Sequence, residues 1–384
     1  MTPVPPDAVD PDAADTDALN PGTSRPRPGV REVSVTIRDV AARAGVALSS
    51  VSRVLSGHPD VSPAMRERVE VAAQDLGYEP DLLAQSLRRG STRTVGFVLR
   101  DISNPLFANI ARRCEQELRR AGYSMVLVNS DGALEAEAAN LALLRRRRVD
   151  GVIVSLVSER SLATRRELAA LRVPVVLLDR EVEDFTSAAV LCDHYPAVRR
   201  AVEELLMRGH RRVAIITGTL DVRTSRERLR AYRDAFASAG VQVDEDLVLS
   251  GDFSADYAKA EVIRLLSRSP EPTALLTGGV GSTAGALRGL RQLRRVPGQD
   301  VALVALDEWP MFDVFTSDLA SVARDSGEMG TASARLLLDM LDGADPGIVT
   351  IDTTFTPRGS ITTRPTRPTR PAATDAGALA AVPS

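Results

Sequence analysis

Hydrophobic residues follow two different periods along the chain, and the change comes near Gly90-Ser91-Thr92. Before it, apolar residues recur at helical spacing; after it, short β-branched or leucine-rich runs alternate with amphipathic helical stretches. We predict ten strands: Thr94–Leu99, Ser124–Val128, Gly151–Ser155, Val173–Leu178, Ala189–Leu191, Val213–Thr217, Leu247–Ser250, Ala274–Thr277, Val301–Leu306 and Ser321–Ala323. The alternation indicates parallel sheets with helices on both faces, and ten strands are many for one open sheet. We therefore expect an α/β core, residues 94–361, of two doubly wound parallel-sheet subdomains with a cleft between them.

The segment from residue 34 to 80 is predicted to be all-α. Thr36 and Asp39 fit a capping box at the start of a first helix, whose apolar stripe stops at Gly45. A short second helix follows over Leu48–Leu55, and Ser62-Pro63 opens a third. Helix, glycine turn, short helix and third helix together describe a helix-turn-helix unit, whose second helix enters the major groove of DNA.

The second helix has an outer face suited to nucleic acid. With Val51 and Val54 packed inward, that face presents Leu48, Ser49, Ser50, Ser52 and Arg53. Hydroxyls and a guanidinium bind phosphate oxygens and base edges, and a leucine packs against a thymine methyl. The alternative is a helical dimerisation or capping module with a solvated serine face. Residues 34–94 hold eight arginines against seven acids, so the positive surplus that favours phosphate binding is small.

Composition narrows the class of protein. The 384 residues are 44% hydrophobic and 26% charged, with a formal net charge of -3, which excludes collagen-like, wholly disordered and disulfide-scaffold proteins. The two cysteines favour a reducing, cytoplasmic location, and no apolar run approaches the roughly 20 residues of a membrane span. Residues 1–33 are acidic and proline-rich, unlike a signal peptide, and residues 362–384 repeat Arg-Pro-Thr; both tails are predicted to be disordered.

The sequence contains few residues in arrangements that are typical of enzymes. The three histidines His58, His194 and His210 have no metal-ligand spacing, and neither a Gly-x-Ser-x-Gly elbow nor a Gly-Lys-Ser/Thr phosphate loop occurs. We therefore expect no enzyme, no metal and no cofactor. A periplasmic solute receptor would explain the core but not the helix-turn-helix segment, and it would require a signal peptide.

Several motifs resemble the lactose-repressor/galactose-repressor (LacI/GalR) family of transcriptional regulators. In the N-terminal segment these are Val35-Thr-Ile-Arg-Asp-Val-Ala-Ala-Arg-Ala-Gly-Val46, Ser50-Val-Ser-Arg-Val-Leu55, Val61-Ser-Pro, Arg68-Val69 and Leu76-Gly-Tyr-Glu-Pro80. In the core they are Gly96-Phe-Val-Leu, Asp101-Ile-Ser-Asn-Pro105, Arg148-Val-Asp-Gly-Val-Ile153, Gly209-His-Arg-Arg212 and Leu306-Asp-Glu308. The resemblance covers residues 34–360, all but the tails. It implies a repressor that binds a near-palindromic operator in double-stranded DNA as a homodimer, away from any membrane.

The resemblance also implies roles for residues in the DNA-binding part. Leu48, Ser49 and Arg53 would read bases, while Thr36, Ser50 and Ser52 would hold phosphates. Residues 81–93 would form a hinge helix and linker, in which Leu87 wedges into the central minor-groove step and Ala84 lets the two hinge helices approach. One departure is Ala47, which stands where the family usually has a Ser or Thr cap, so the second helix is expected to fray.

The family's core resembles periplasmic sugar-binding proteins and closes on a small effector, a sugar or related polar metabolite. The matching pocket residues are Phe107, Asp179, Thr224, Arg228, Phe253 and Asp307. The chemistry is consistent, because a guanidinium and carboxylates bind vicinal hydroxyls and aromatic rings give flat apolar faces. Each residue also has an ordinary explanation: Arg228 on a solvated helix face, Asp307 capping a turn, Phe253 in the core.

A second departure concerns the loop after strand Ala274–Thr277. Most relatives carry Asn-Asp there, whereas this chain has Gly279 and Val280. Ser282 or Thr283 could replace those contacts, or the pocket could be altered or idle. The same glycines, Gly279 to Gly285 with Asp307 further on, imitate a dinucleotide-binding turn. That pattern supports a rival hypothesis, a nucleotide-binding redox-sensing regulator or enzyme.

Overall fold

The structure is a computed structural model that describes residues 35–78, 90–315 and 318–361. The chain divides into two compact units between Gln85 and Ser86. This division falls inside the predicted hinge, residues 81–93, most of which lies outside the described residues together with both tails. The domain boundaries therefore stay a prediction.

The N-terminal unit, called the headpiece (residues 35–78), contains helices α1 (Ile37–Ala44), α2 (Leu48–Leu55) and α3 (Pro63–Asp75). The turn after α1 needs Gly45, whose φ of 63° is a left-handed conformation. Valines from all three helices, Val40, Val51, Val54 and Val69, are buried together and form the centre of a small core. The predicted helix-turn-helix fold is confirmed.

The second unit begins with a lobe that we call lobe 1. Its elements are β1 (Thr94–Leu99), α4 (Pro105–Arg120), β2 (Ser124–Asn129), α5 (Leu134–Arg146), β3 (Gly151–Val154), α6 (Leu162–Ala170), β4 (Val175–Leu178) and β5 (Ala188–Asp193). These strands are parallel, in the order β2-β1-β3-β4-β5. In this doubly wound order the chain reverses direction across the sheet between β1 and β3, and ligands bind beyond the carboxyl ends of the strands there.

Lobe 2 repeats the same winding. It contains α7 (His194–Met207), β6 (Val213–Gly218), α8 (Arg223–Ser238), a 3-10 turn (Glu245–Leu247), β7 (Val248–Gly251), α9 (Ala255–Leu266), β8 (Ala274–Thr277), α10 (Val280–Gln292), β9 (Ala302–Leu306), α11 (Phe312–Phe315) and β10 (Ala320–Arg324). The strand order is β7-β6-β8-β9-β10, again parallel. The corresponding crevice lies between β6 and β8.

The chain crosses between the lobes three times. Helix α7 follows β5 of lobe 1 but packs in the core of lobe 2, and α12 (Ser326–Leu341) returns from β10 to the core of lobe 1. The third crossing is within β11 (Ile348–Thr356), which pairs parallel with β5 and then antiparallel with β10. Its Ile351 is buried in lobe 1 and its Phe355 in lobe 2.

The predicted pair of doubly wound subdomains is confirmed, with one strand more than we predicted. Strand β11 was missed, and it joins the two sheets into one hydrogen-bonded series. Within the described ranges, every helix is too short or too polar to cross a membrane.

Candidate functional site

Two surfaces carry the predicted site residues, and the first is the outer face of α2 in the headpiece. Leu48 is 45% exposed, and Ser49 and Arg53 are exposed beside it. Ser50 and Ser52 are half-buried at the edges of this face. The arrangement follows from the sequence, because Val51 and Val54 are on the opposite side of the helix and are buried against α1 and α3.

At two helix N-termini of the headpiece, the side chains differ from what DNA binding requires or from what the family usually has. The carboxylate of Asp39 accepts hydrogen bonds from both the backbone amide and the hydroxyl of Thr36, each at 2.7 Å. This hydroxyl must leave Asp39 before it can donate to a phosphate. At the start of α2, Ala47 is extended and gives no side-chain cap, as expected. The minor-groove residues Ala84 and Leu87 lie outside the described residues.

The second surface is a cavity of about 460 Å³ in the two-lobed unit. All six predicted effector residues line it: Phe107 on α4, Asp179 after β4, Thr224 and Arg228 on α8, Phe253 between β7 and α9, and Asp307 after β9. Phe107 and Asp179 belong to lobe 1 and the other four to lobe 2. The cavity therefore lies between the lobes, at the carboxyl ends of the strands where a doubly wound fold binds its ligands.

A chain of buried charges crosses this cavity. Arg324, at the end of β10, donates to Asp179 at 2.5 Å and to Asp307 at 3.2 Å. Arg228 donates to Asp307 at 3.2 Å and to the carbonyl of Gly278 at 2.7 Å. Since Asp179 belongs to lobe 1 and Arg324 to lobe 2, a ligand that contacts this chain senses the arrangement of both lobes.

The electrostatics keep these groups charged. Burial by itself would raise the pKa of Asp179, but the hydrogen bond from His194 and the guanidinium of Arg324 outweigh it and hold that pKa well below its usual range. Burial lowers the pKa of Arg228, which Asp307 partly opposes. Because bringing a charge out of water costs several kcal/mol unless it is paired, this network stays ionised only through its partners.

The backbone at Asp307 is strained. Its φ of 134° is rare for a residue with a side chain and costs about 1–3 kcal/mol. The two guanidinium groups of Arg228 and Arg324 hold its carboxylate in place despite this cost. Such strain is typical of functional sites, where surrounding contacts impose it.

Sequence reasoning missed several lining residues. Arg324, Arg180, Arg100 and Ser155 all contribute to the cavity. Each of them ends or closely follows a parallel strand, β10, β4, β1 and β3 respectively. That position was the available signal, because side chains at carboxyl ends of parallel strands meet at one edge.

One cluster resembles a metal site but is held as an ion pair. Donor atoms of Asp179, Cys192 and His194 lie within 4.8 Å of one another, although their spacing in sequence did not suggest it. The guanidinium of Arg324 occupies the same carboxylate oxygen that faces His194. Burial raises the pKa of Cys192 to about 12, so its sulfur is a thiol rather than a thiolate ligand. This donor set does not suit a cation.

The glycine loop at the start of α10 serves helix packing. A Cβ at Gly281 would lie 2.6 Å from the carbonyl oxygen of Phe253, and one at Gly285 would lie 2.0 Å from that of Ala255. These glycines let α10 approach the neighbouring chain closely. In addition, α10 follows the third strand of its lobe, whereas a dinucleotide-binding turn follows the first. Both observations weigh against the rival dinucleotide hypothesis.

A helix-turn-helix unit joined to a two-lobed α/β unit with a cleft defines a DNA-binding regulator with a ligand-binding core. Comparison with known families agrees. The model of the bacterial regulatory proteins of the lacI family matches residues 36–81, and that of periplasmic binding proteins and the sugar-binding domain of the LacI family matches residues 92–358. The chain belongs to the LacI family, and it is a transcriptional regulator.

Individual relatives match most of the chain. The ribose operon repressor of Escherichia coli (strain K12) is 31% identical over 304 residues, which are 79% of this chain and 92% of that protein. Two solved structures each cover 85% of this chain and 99% of their own. They are a CelR–cellobiose complex, with 32% identity and a TM-score of 0.64, and the Lac repressor bound to ONPG in its repressed state, with 26% identity and a TM-score of 0.74.

Proposed function

We propose that this protein is a homodimeric repressor that binds a near-palindromic operator and is controlled by a small polar effector in the interlobe cavity. The proposed site of action is the cytoplasm, where the operator DNA would be. We also propose that it catalyses no reaction. The carboxylates of Asp179 and Asp307 are both bound by guanidinium groups, so neither is available as a general base.

On DNA, α2 would lie in the major groove with Leu48, Ser49 and Arg53 against base edges. Thr36, Ser50 and Ser52 would bind phosphates, and Leu87 would enter the minor groove beside its copy in the partner. The guanidinium of Arg53 supports this assignment, because it is exposed and has no acceptor in the described headpiece. An arginine in that situation is ready to bind guanine bidentately.

In the cleft, Phe107, Asp179, Thr224, Arg228, Phe253 and Asp307 would contact the effector. The observation that carries this assignment is the ion-pair chain from Asp179 through Arg324 to Asp307, which spans both lobes. A ligand that binds it prefers one lobe arrangement, and so it changes the spacing of the two headpieces. The named ligand of one relative, cellobiose in the CelR complex, supports a sugar or a similar metabolite.

Fluorescence anisotropy tests the DNA assignment. An operator is first selected from random duplexes with the full-length protein, and binding is then compared with that of a scrambled duplex. Arg53→Ala should lose about tenfold or more of the preference for the operator, because a bidentate base contact contributes about 1–3 kcal/mol. Arg68→Ala, which removes an equally exposed arginine from α3, should lower affinity for both duplexes alike.

Two outcomes would contradict the proposal. One is a selection that yields no enriched sequence from a properly folded protein. The other is an Arg53→Ala variant whose operator preference equals that of the unmodified protein.

A further inference from the structure

Arg100 stands apart from the other buried arginines of the cavity. It follows β1 directly, is half-buried, and lines the cavity wall. In the described part of the chain its guanidinium has no hydrogen-bond acceptor and no carboxylate within ion-pair distance. The guanidinium stacks over the ring of Phe253, with the guanidinium carbon 5.0 Å from the ring centroid. Burial lowers the pKa of Arg100, and the attraction of the carboxylates of Asp252, Asp101 and Glu137 offsets this only in part, so its charge has no directly paired counterion.

Ser155 gives a second, independent observation at the same place. It follows β3, is 1% exposed, lines the cavity, and its hydroxyl has no hydrogen-bond partner among the described residues. Strands β1 and β3 are neighbours, and the amide of Ser155 donates to the carbonyl of Val98 at 3.0 Å. In this register Ser155 follows Val154, the partner of Val98, and Arg100 lies two residues after Val98, so both residues line the cavity at the carboxyl ends of neighbouring strands. A buried donor without an acceptor is costly, and because Ser155 lines the cavity, a ligand bound there can supply the acceptor.

The balance of charge in the inner wall is positive. Among the nearly inaccessible side chains that line the cavity, three are guanidinium groups (Arg180, Arg228 and Arg324) and two are carboxylates (Asp179 and Asp307). Two further buried carboxylates, Glu137 and Glu159, lie behind this wall and already accept hydrogen bonds from Thr164 and Arg226. Arg180 donates to two carbonyls and to the hydroxyl of Thr224 rather than to a carboxylate. The N-terminus of α10 also opens onto the cavity without a side-chain cap, which adds a partial positive charge.

The remaining charges lie nearer the solvent. Asp101 is half-buried and accepts from Ser103, while Asp252 is exposed and accepts from the amide of Ser254. Asp131 and Arg288 are both exposed. Asp252 and Asp101 attract the guanidinium of Arg100 from this outer position, but neither forms an ion pair with it in the described residues.

Given the proposed effector role, on which this inference rests, we propose that the effector is an anionic polyol, a sugar derivative that carries a carboxylate or a phosphate. Its anionic group binds Arg100 and Ser155, and its hydroxyls bind the Asp179–Arg324–Asp307–Arg228 chain. A guanidinium binds either anion through two parallel hydrogen bonds, and a serine hydroxyl adds a third. A neutral sugar would leave the guanidinium of Arg100 without a directly paired anion.

The test uses the full-length protein and the fluorescence of Trp309, the single tryptophan of the chain, which lines the cavity. Titrations compare matched sets: glucose, gluconate and glucose 6-phosphate; ribose, ribonate and ribose 5-phosphate. Inorganic phosphate against chloride at constant ionic strength serves as the simplest probe, with thermal unfolding as a second readout. The sets separate a carboxylate from a phosphate. We expect at least one anionic member to bind at least about tenfold more tightly than its neutral counterpart.

Variants identify the residues responsible. Arg100→Met should weaken binding of the anionic ligand by about tenfold or more and leave any binding of neutral sugar unchanged. Ser155→Ala should weaken the anion too, without lowering the melting temperature of the free protein, since no hydrogen bond is lost. Ser225→Ala is the matched control: its hydroxyl is also buried and unpartnered, but it does not line the cavity. It should leave every titration unchanged.

Three results would overturn the inference: equal binding of neutral and anionic members, anion binding that is indifferent to Arg100→Met, or no response to any anion including phosphate. Operator binding is measured in parallel. If the protein binds its operator through Arg53 and releases it when a neutral sugar binds, the proposed function is supported and the inference of an anionic effector is wrong. If the protein shows no operator preference, the proposed function is wrong, whatever the ligand titrations show.

Discussion

His194 is a buried titratable group that contacts Asp179, the residue of lobe 1 that pairs with Arg324 of lobe 2. It is 1% exposed, and its Nε2 lies 3.0 Å from the Asp179 carboxylate that also accepts from Arg324. Burial lowers the pKa of His194 below its ordinary value of 6.5, and the attraction of Asp179 does not fully compensate. The imidazole is therefore neutral at pH 7 and donates its Nε2 proton to Asp179.

The free energy of unfolding should consequently depend on pH through His194. Because its pKa is lower in the folded state, the unfolded chain binds the proton first as the pH falls below about 6.5. This loss of stability starts there, continues down to the folded-state pKa, and amounts to at most about 1.4 kcal/mol per pH unit. Urea unfolding between pH 7.5 and 5.5 measures it, and His194→Gln should flatten the slope.

His58→Gln provides the comparison for this experiment. His58 lies in the headpiece, so its replacement should leave the pH dependence of the two-lobed unit as it is. A slope that is the same in His194→Gln and in the unmodified protein would show that His194 does not titrate in this way.

The sequence allowed us to predict which residues line the cavity better than which side chains contact one another. All six predicted effector residues line one cavity, and it was the family resemblance, together with the suitability of charged and aromatic side chains for a polar ligand, that identified them. Arg324 was missed although it directly follows the predicted strand Ser321–Ala323. Its importance comes from two carboxylates, Asp179 and Asp307, that are distant in sequence, and only the folded chain brings the three together.

Among the elements, α9 and α10 pack closely through glycines. A Cβ at Gly285 would lie 2.0 Å from the carbonyl oxygen of Ala255, and this atom is backbone and cannot rotate away. One turn later, a Cβ at Gly289 would lie 3.1 Å from the carbonyl oxygen of Lys259, which is tight but tolerable. Gly285 and Gly289 lie on the same helix, but only Gly289 has nearly enough space for a Cβ atom.

Gly285→Ala should therefore destabilise the two-lobed unit by about 1–3 kcal/mol, as overpacked cores do. Gly289→Ala should have a much smaller effect, because the better helix propensity of alanine, about 1 kcal/mol, offsets the contact. Denaturant unfolding of both variants measures the difference. If Gly285→Ala proves as stable as Gly289→Ala, close helix packing does not explain this glycine.

Strand β11 is the one strand of the described structure that we did not predict from the sequence. Its β-branched residues from Ile348 to Thr356 favour a strand, but the alternation of strands with helices had suggested ten strands without it. Its partners are β5 in one lobe and β10 in the other, and it runs parallel to one and antiparallel to the other. No periodicity of the sequence encodes a strand shared between two sheets.

For the two-lobed unit as a whole, Glu159 connects one lobe to a helix of the other. It follows β3 in lobe 1, is 6% exposed, and accepts from the amide of Arg223 at 2.8 Å and from the amide of Glu181 at 3.2 Å. It also pairs with Arg226 at 2.7 Å. Helix α8 of lobe 2 has no side-chain cap of its own, so Glu159 supplies one across the interface.

Glu159→Gln should loosen the interface on this side of the cleft. Hydrogen bonds to a charged acceptor contribute about 1.5–3 kcal/mol, so amide hydrogen exchange over residues 221–226 should accelerate by about tenfold or more. Glu181→Gln is the matched control, because it removes another carboxylate that pairs with Arg223, at 3.3 Å, but one that is 55% exposed. Such surface pairs contribute little, and exchange should stay unchanged. Equal exchange in both variants would mean that Glu159 does not hold the lobes together at this side of the cleft.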